Sequence, residues 1–219
     1  MDIVVAGTAR CTVAPERATV HARVSFEAAV KAEALARATE QANALGSALR
    51  ALQSTEASPV ESVAVLPIST RQWHPHADDG RVLPLRHLAE ALTRVTFSDF
   101  PALTSFIDQW GSADGITIDW VEWTLTPESR SREEGAVLER AVGHARERAT
   151  AMAHASGSGE VRCVEVADAG LLSPGAPAMA YEMAPMSMKR SGGGDGGGVD
   201  LSPADIELSA TVHARFTTD

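Results

Sequence analysis

The chain has 219 residues, 44% of them hydrophobic, 22% charged and 5% aromatic, with a net charge of -10. It is long enough to bury a sizeable core, and its composition is neither disordered nor collagenous. The acidic balance argues against nucleic acid, which needs clustered Lys and Arg, and against docking on an anionic membrane.

The chain opens Met1-Asp2-Ile3-Val4-Val5-Ala6-Gly7, with an acid where a signal peptide wants a base and only four apolar residues before the glycine. No window approaches the roughly 18 apolar residues of a membrane helix. The expectation is a cytoplasmic protein with no membrane partner.

Ile3 to Arg10 is β-rich, and Ala14-Pro15-Glu16 is turn chemistry. Ala18, Val20, Ala22, Val24 and Phe26 then alternate with polar residues, the period of a half-buried strand. From about Ala28 to Leu52, Val30, Ala34, Ala38, Ala42, Leu45, Leu49 and Leu52 fall three or four apart and predict one long helix. Its alanines let the axis approach a sheet closely. Strands are expected over Val60 to Thr70 and Leu88 to Phe97, joined by a polar hairpin loop. Ser98-Asp99-Phe100-Pro101 starts a short helix that runs to about Trp110.

Ile116, Ile118 and Trp120 share one parity, whereas Val121, Trp123 and Leu125 share the other. A one-residue phase slip between Trp120 and Val121 predicts a β-bulge. Thr126-Pro127-Glu128 opens a second long helix with a stripe of Leu138, Ala141, Ala145, Ala149 and Met152. A strand over Val161 to Val166 and a clean alternating strand from Ile206 to Phe216 complete the chain. The order is roughly ββαββαβαββ, an α+β fold: a mainly antiparallel sheet with two long Ala-rich helices and one short helix packed on it. The whole of 1–219 reads as a single domain, with a flexible Pro/Met/Gly-rich insertion at about 170–204.

This ordered set of features resembles the SIMPL-domain family. Ile3 to Ala9 followed by Ala14-Pro15-Glu16-Arg17-Ala18 resembles its opening strand, glycine and turn. The alanine-rich helices, and Ser202-Pro203-Ala204-Asp205-Ile206-Glu207 leading into the last strand, lie where the family's do. Arg86-His87-Leu88-Ala89-Glu90-Ala91 stands where relatives have a Gly-Tyr-x-Ala stretch. The resemblance implies an α+β fold and, for some relatives, large ring- or channel-like homo-oligomers. It implies an oxidative-stress link for periplasmic relatives and innate-immune kinase signalling for a mammalian namesake. It carries no catalytic residues.

His74, His76, Asp78 and Asp79, with His87 nearby, are the nearest approach to a metal cluster, because imidazole and carboxylate suit a divalent ion. Pro75 interrupts the run, and a polar surface loop is the plainer reading. Met179, Met183, Met186 and Met188 gather near Tyr181 and offer soft, oxidisable thioethers, or simply apolar packing. The tract 192–198 lacks the Gly-Lys-Ser/Thr ending of a phosphate loop and reads as a flexible tether. Gly157-Ser158-Gly159 lacks the spacing of a nucleophile elbow. Cys11 and Cys163 read as buried, inert thiols, and His21 and His213, on the polar parity of their strands, as solvated histidines. With no triad, paired acids or cofactor loop, no catalytic, cofactor or metal residue is assigned. The expectation is a non-enzymatic, homo-oligomeric protein that acts by self-assembly or partner binding in a stress-related role. The alternative is a small-molecule or metal-binding protein using the His74–Asp79 loop.

Overall fold

The alternation at the start of the chain produces two twelve-residue strands, β1 (Asp2–Val13) and β2 (Arg17–Ala28). In the computed structural model, which describes residues 1–172 and 202–218, they are followed by α1 (Lys31–Gln53), β3 (Val60–Val65), β4 (Ser69–Trp73) and β5 (Arg86–Phe97). Next come α2 (Phe100–Gly111), β6 (Ile116–Thr124), α3 (Pro127–Ala155), β7 (Val161–Asp168) and β8 (Ile206–Thr218). The α+β class and the antiparallel pairing are as expected, but the strands divide between two sheets, β1-β8-β7 and β3-β5-β2-β6 with β4 also on β5. The contacts divide likewise into two units. One holds Met1–Ala14 together with α3, β7 and β8, and the other holds Pro15–Thr124.

The strand expected over Val60 to Thr70 is two strands. Both β3 and β4 pair with β5, and Leu66-Pro67-Ile68 separates them. Proline has no N–H for the ladder, so a strand running through it breaks there. Helix α1 begins three residues later than predicted, because Ala28 still belongs to β2 and pairs with His87.

In the five-stranded unit, α1 and α2 cover one face of the sheet. Ala34, Ala38, Ala42, Leu45 and Leu49 of α1 meet Val20, Val24, Ala89, Ala91 and Val95, while Leu103, Phe106 and Ile107 of α2 extend the core. Val30 and Leu52, the ends of the predicted stripe, are exposed. The start of α2 is as predicted: the Asp99 carboxylate accepts from the Ala102 amide at 3.0 Å, and Pro101 lies in the first turn.

In the three-stranded unit, β1 and β8 pair over their full length, from Asp2 opposite Thr217 to Val13 opposite Ile206. Helix α3 lies on one face and buries Val137, Ala141, Ala145, Ala149 and Ala153. Leu138 and Met152, placed in this stripe by sequence, are exposed. The inner line steps by four from Val137 to Ala153, one position away from each of them. The Thr126 hydroxyl caps α3 by accepting from the Ser129 amide at 3.2 Å. On β1 the Thr8 amide donates to His144 Nδ1 at 3.1 Å and the Ala6 carbonyl accepts from Arg148 at 2.7 Å. Side chains of α3 thus occupy backbone groups of β1, which among the described strands pairs with β8 alone and whose unpaired groups would otherwise invite another chain.

Candidate functional site

The face of the five-stranded sheet opposite the helices carries the polar residues of the alternation. Register places Arg94, His21 and Trp120 in one row across β5, β2 and β6, and Thr96, Thr19 and Glu122 in the next. The phase slip predicted in β6 exists, but it lies one residue earlier, between Asp119 and Trp120. His21 opposes Trp120 and Ala22 opposes Ile118, so Asp119 is the extra residue. Ile116, Ile118, Val121 and Trp123 therefore all reach the core, and Asp119 and Trp120 both turn to the polar face. Sequence parity had grouped Trp120 with the core residues. A bulge re-aims side chains in this way, and here it aims a carboxylate and an indole onto β2.

Each re-aimed side chain finds a partner. Trp120 stacks on His21 with ring centroids 4.2 Å apart and planes 15° apart, and His21 Nε2 lies 3.4 Å from Glu122. The His21 side chain is only 16% exposed, so it is a packed residue and not the solvated one expected. Asp119 accepts from Arg23 at 3.1 Å, and the same guanidinium lies 3.6 Å from Glu90. Thr19 and Thr96 exchange a hydroxyl bond at 3.0 Å, and Ser62 donates to Thr96 at 3.1 Å. At the end of the face, Arg17 pairs with Glu61 at 2.7 Å. Half-exposed pairs of this kind each contribute under about 1 kcal/mol, so the network fixes positions more than it stabilises the fold. What the face leaves outward is Trp120 at 44% exposure, Leu92 at 41%, and Arg94, which has no ion pair among the described residues. Aromatic, leucine and arginine side chains over a floor of paired charges suit contact with a protein surface.

Deleting Asp119 tests the bulge. Without it, Ile116, Ile118, Val121 and Trp123 fall into simple alternation with Trp120 still outward, so β6 keeps its core face. The expected result is a folded protein destabilised by about 1 kcal/mol, from the loss of one Arg23 partner. Thermal unfolding followed by circular dichroism checks it, and a collapse of β6 would show that the bulge is structural.

The loop residues singled out by sequence do not converge. His74 Nδ1 lies 3.1 Å from the Leu83 carbonyl oxygen, and His76 bridges to Val82 across the loop. Asp79 accepts from the Arg81 amide at 3.0 Å and lies 3.4 Å from its guanidinium, while His87 pairs in register with Gln72 and Ala28. Among the described residues, no group of three or more His, Cys, Asp or Glu is placed to hold a metal. His74, His76, Asp78 and Asp79 instead belong to a loop that largely bonds to itself. The methionines Met179 to Met188 and the tract 192–198 lie outside the described residues. Cys163 is exposed and Cys11 half-buried, which corrects the reading of both as buried thiols, and His213 accepts from the Gly170 amide at 3.4 Å.

A second feature is the strand β7. It pairs with β8 on one side, and no described strand pairs with the other. Arg162 through Val166 are all exposed, including Val164 at 56% and Val166 at 45%. An edge with no described strand beside it and with exposed aliphatic side chains is a template for another strand.

Among the described residues, no helix is long and apolar enough to cross a membrane. Comparison with protein families finds a match over residues 3–216 to the model named SIMPL, described as a protein of unknown function (DUF541). No curated protein matches.

Proposed function

The chain belongs to the SIMPL family, which spans residues 3–216, and on that premise we propose that it is a non-enzymatic protein that works by assembling with copies of itself. The observation that carries this is β7, an edge strand with two exposed valines, Val164 and Val166, and no described neighbour beyond it. Support for action through contacts also comes from the open sheet face, where charged side chains are bonded to one another and Trp120 and Leu92 are left for a partner. The stress-related role rests on the resemblance to periplasmic relatives alone.

Light scattering on the full chain over a rising concentration series tests the assembly. The expected result is a mass above that of one chain at tens of micromolar, increasing with concentration. A mass of one chain throughout overturns the proposal.

A further inference from the structure

The register of β7 makes that strand self-complementary. Cys163 opposes Phe216 and Glu165 opposes Arg215, so Val164 is an extra residue in the ladder. Opposed residues share a face. Val161 and Val166 therefore lie with Thr218 and Ala214 on the side covered by α3, and Arg162 and Glu165 lie with Thr217 and Arg215 on the open side. In a regular strand, residues three apart point to opposite faces, but the extra residue brings Arg162 and Glu165 onto the same one. Read outward from Cys163 and Val164, the order is open side then covered side in both directions. The chemistry matches as well, with opposite charges at the first step and two valines at the second.

Such a strand fits a second copy of itself. We infer that two copies join their three-stranded sheets edge to edge through β7, antiparallel about a two-fold axis perpendicular to the sheet. Arg162 then stands opposite Glu165 of the second copy, and Val161 opposite its Val166. This rests on the self-assembly proposed above and names the surface and the register. Arg162 has no ion pair among the described residues, whereas Glu165 lies 3.9 Å from Arg215. Across the seam the open side would read Thr217, Arg162, Glu165, Arg215, with charges alternating in sign. The two-fold repeats the Arg162–Glu165 pair, so each joint contains it twice.

Charge reversal tests the register on the full chain. Arg162→Glu puts glutamate against glutamate at both pairs, and Glu165→Arg puts arginine against arginine. Each variant alone should associate about tenfold more weakly than the original chain. An equimolar mixture of the two restores opposite charges at both positions and should associate like the original chain, as should the double variant R162E/E165R. Sedimentation velocity reads the association, and circular dichroism confirms that each variant folds. A misfolded variant could not be rescued by mixing with the other. If the single variants associate as the original does, or the mixture fails to recover, the β7 register is overturned while self-assembly through another surface stands. If the original chain is a monomer, both are overturned.

Discussion

Gly7→Ala is expected to lower the melting midpoint by about 10 °C, the equivalent of about 3 kcal/mol in a chain of this size. A Cβ at position 7 would fall on the Ala141 carbonyl oxygen, 2.6 Å from the Ala145 amide nitrogen and 2.7 Å from the Ala145 Cβ. Two of these atoms are helix backbone, so no side chain can rotate aside. Relief requires α3 to lift away from β1, and the line of Ala141, Ala145, Ala149 and Ala153 would lose its contact with Ile3, Val5, Val212 and Phe216. A control lies on the same helix. A Cβ at Gly143 meets nothing within 4 Å, so Gly143→Ala should leave the midpoint unchanged or raise it slightly, through helix propensity. Thermal melts of the two variants check the pair, and equal midpoints would mean that the close approach of β1 and α3 is not what holds this unit.

The consequences of Gly7 were half legible in the sequence. Alanines repeating every four residues announced a helix lying close to a sheet, and a glycine inside an apolar strand is where such a helix can touch the backbone. What sequence could not supply was the pairing of that strand with the last one, across more than 200 residues, and so the division into two sheets. Local periodicity reports which face of a strand is covered but not which strand lies beside it. The break at Pro67 was legible in principle, because proline in a predicted strand interior is a warning in itself.

The open sheet face was legible only in part. Parity detected that β6 changes phase, and it correctly put Thr19, His21 and Arg23 on the polar side of β2. It could not say which residue is extra. Trp120, Val121 and Trp123 are all large and apolar, so composition favours placing each of them inward. The structure resolves the choice through Asp119, whose carboxylate is satisfied by Arg23 on the polar side and would have no such partner in the core. The indole then follows onto the same side and shields His21. A histidine on the polar parity of a strand reads as solvated until the neighbouring strand is known to place an aromatic ring against it. For β7 the same limit applied: spacing in sequence sets Arg162 and Glu165 on opposite faces, and only the bulge at Val164 reunites them.

Gly115→Ala should be the costliest single change in the five-stranded unit among those that add no more than a methyl group. Gly115 has φ +72°, in the left-handed region, where a side chain costs about 1 kcal/mol. Its carbonyl also accepts from the Ser25 amide at 2.8 Å, which ties the turn before β6 to β2. A Cβ there would fall on the Phe26 ring, onto Cζ and within 2.5 Å of Cε2 and 2.7 Å of Cε1. The ring has nowhere simple to go. The Arg37 guanidinium lies over it, 4.4 Å from the centroid, and is itself held by Asp114 at 3.0 Å. Phe26 must leave its place, and displacing a buried phenylalanine costs about 3 kcal/mol, for a total of about 4 kcal/mol. A double-mutant cycle separates the two contributions. In a Phe26→Ala background the methyl group meets no ring, so Gly115→Ala should then cost only the backbone share of about 1 kcal/mol. Urea unfolding of the four proteins measures the cycle. Equal costs of Gly115→Ala in both backgrounds would mean that backbone strain alone, and not the Phe26 ring wedged between Gly115 and Arg37, reserves this position for glycine.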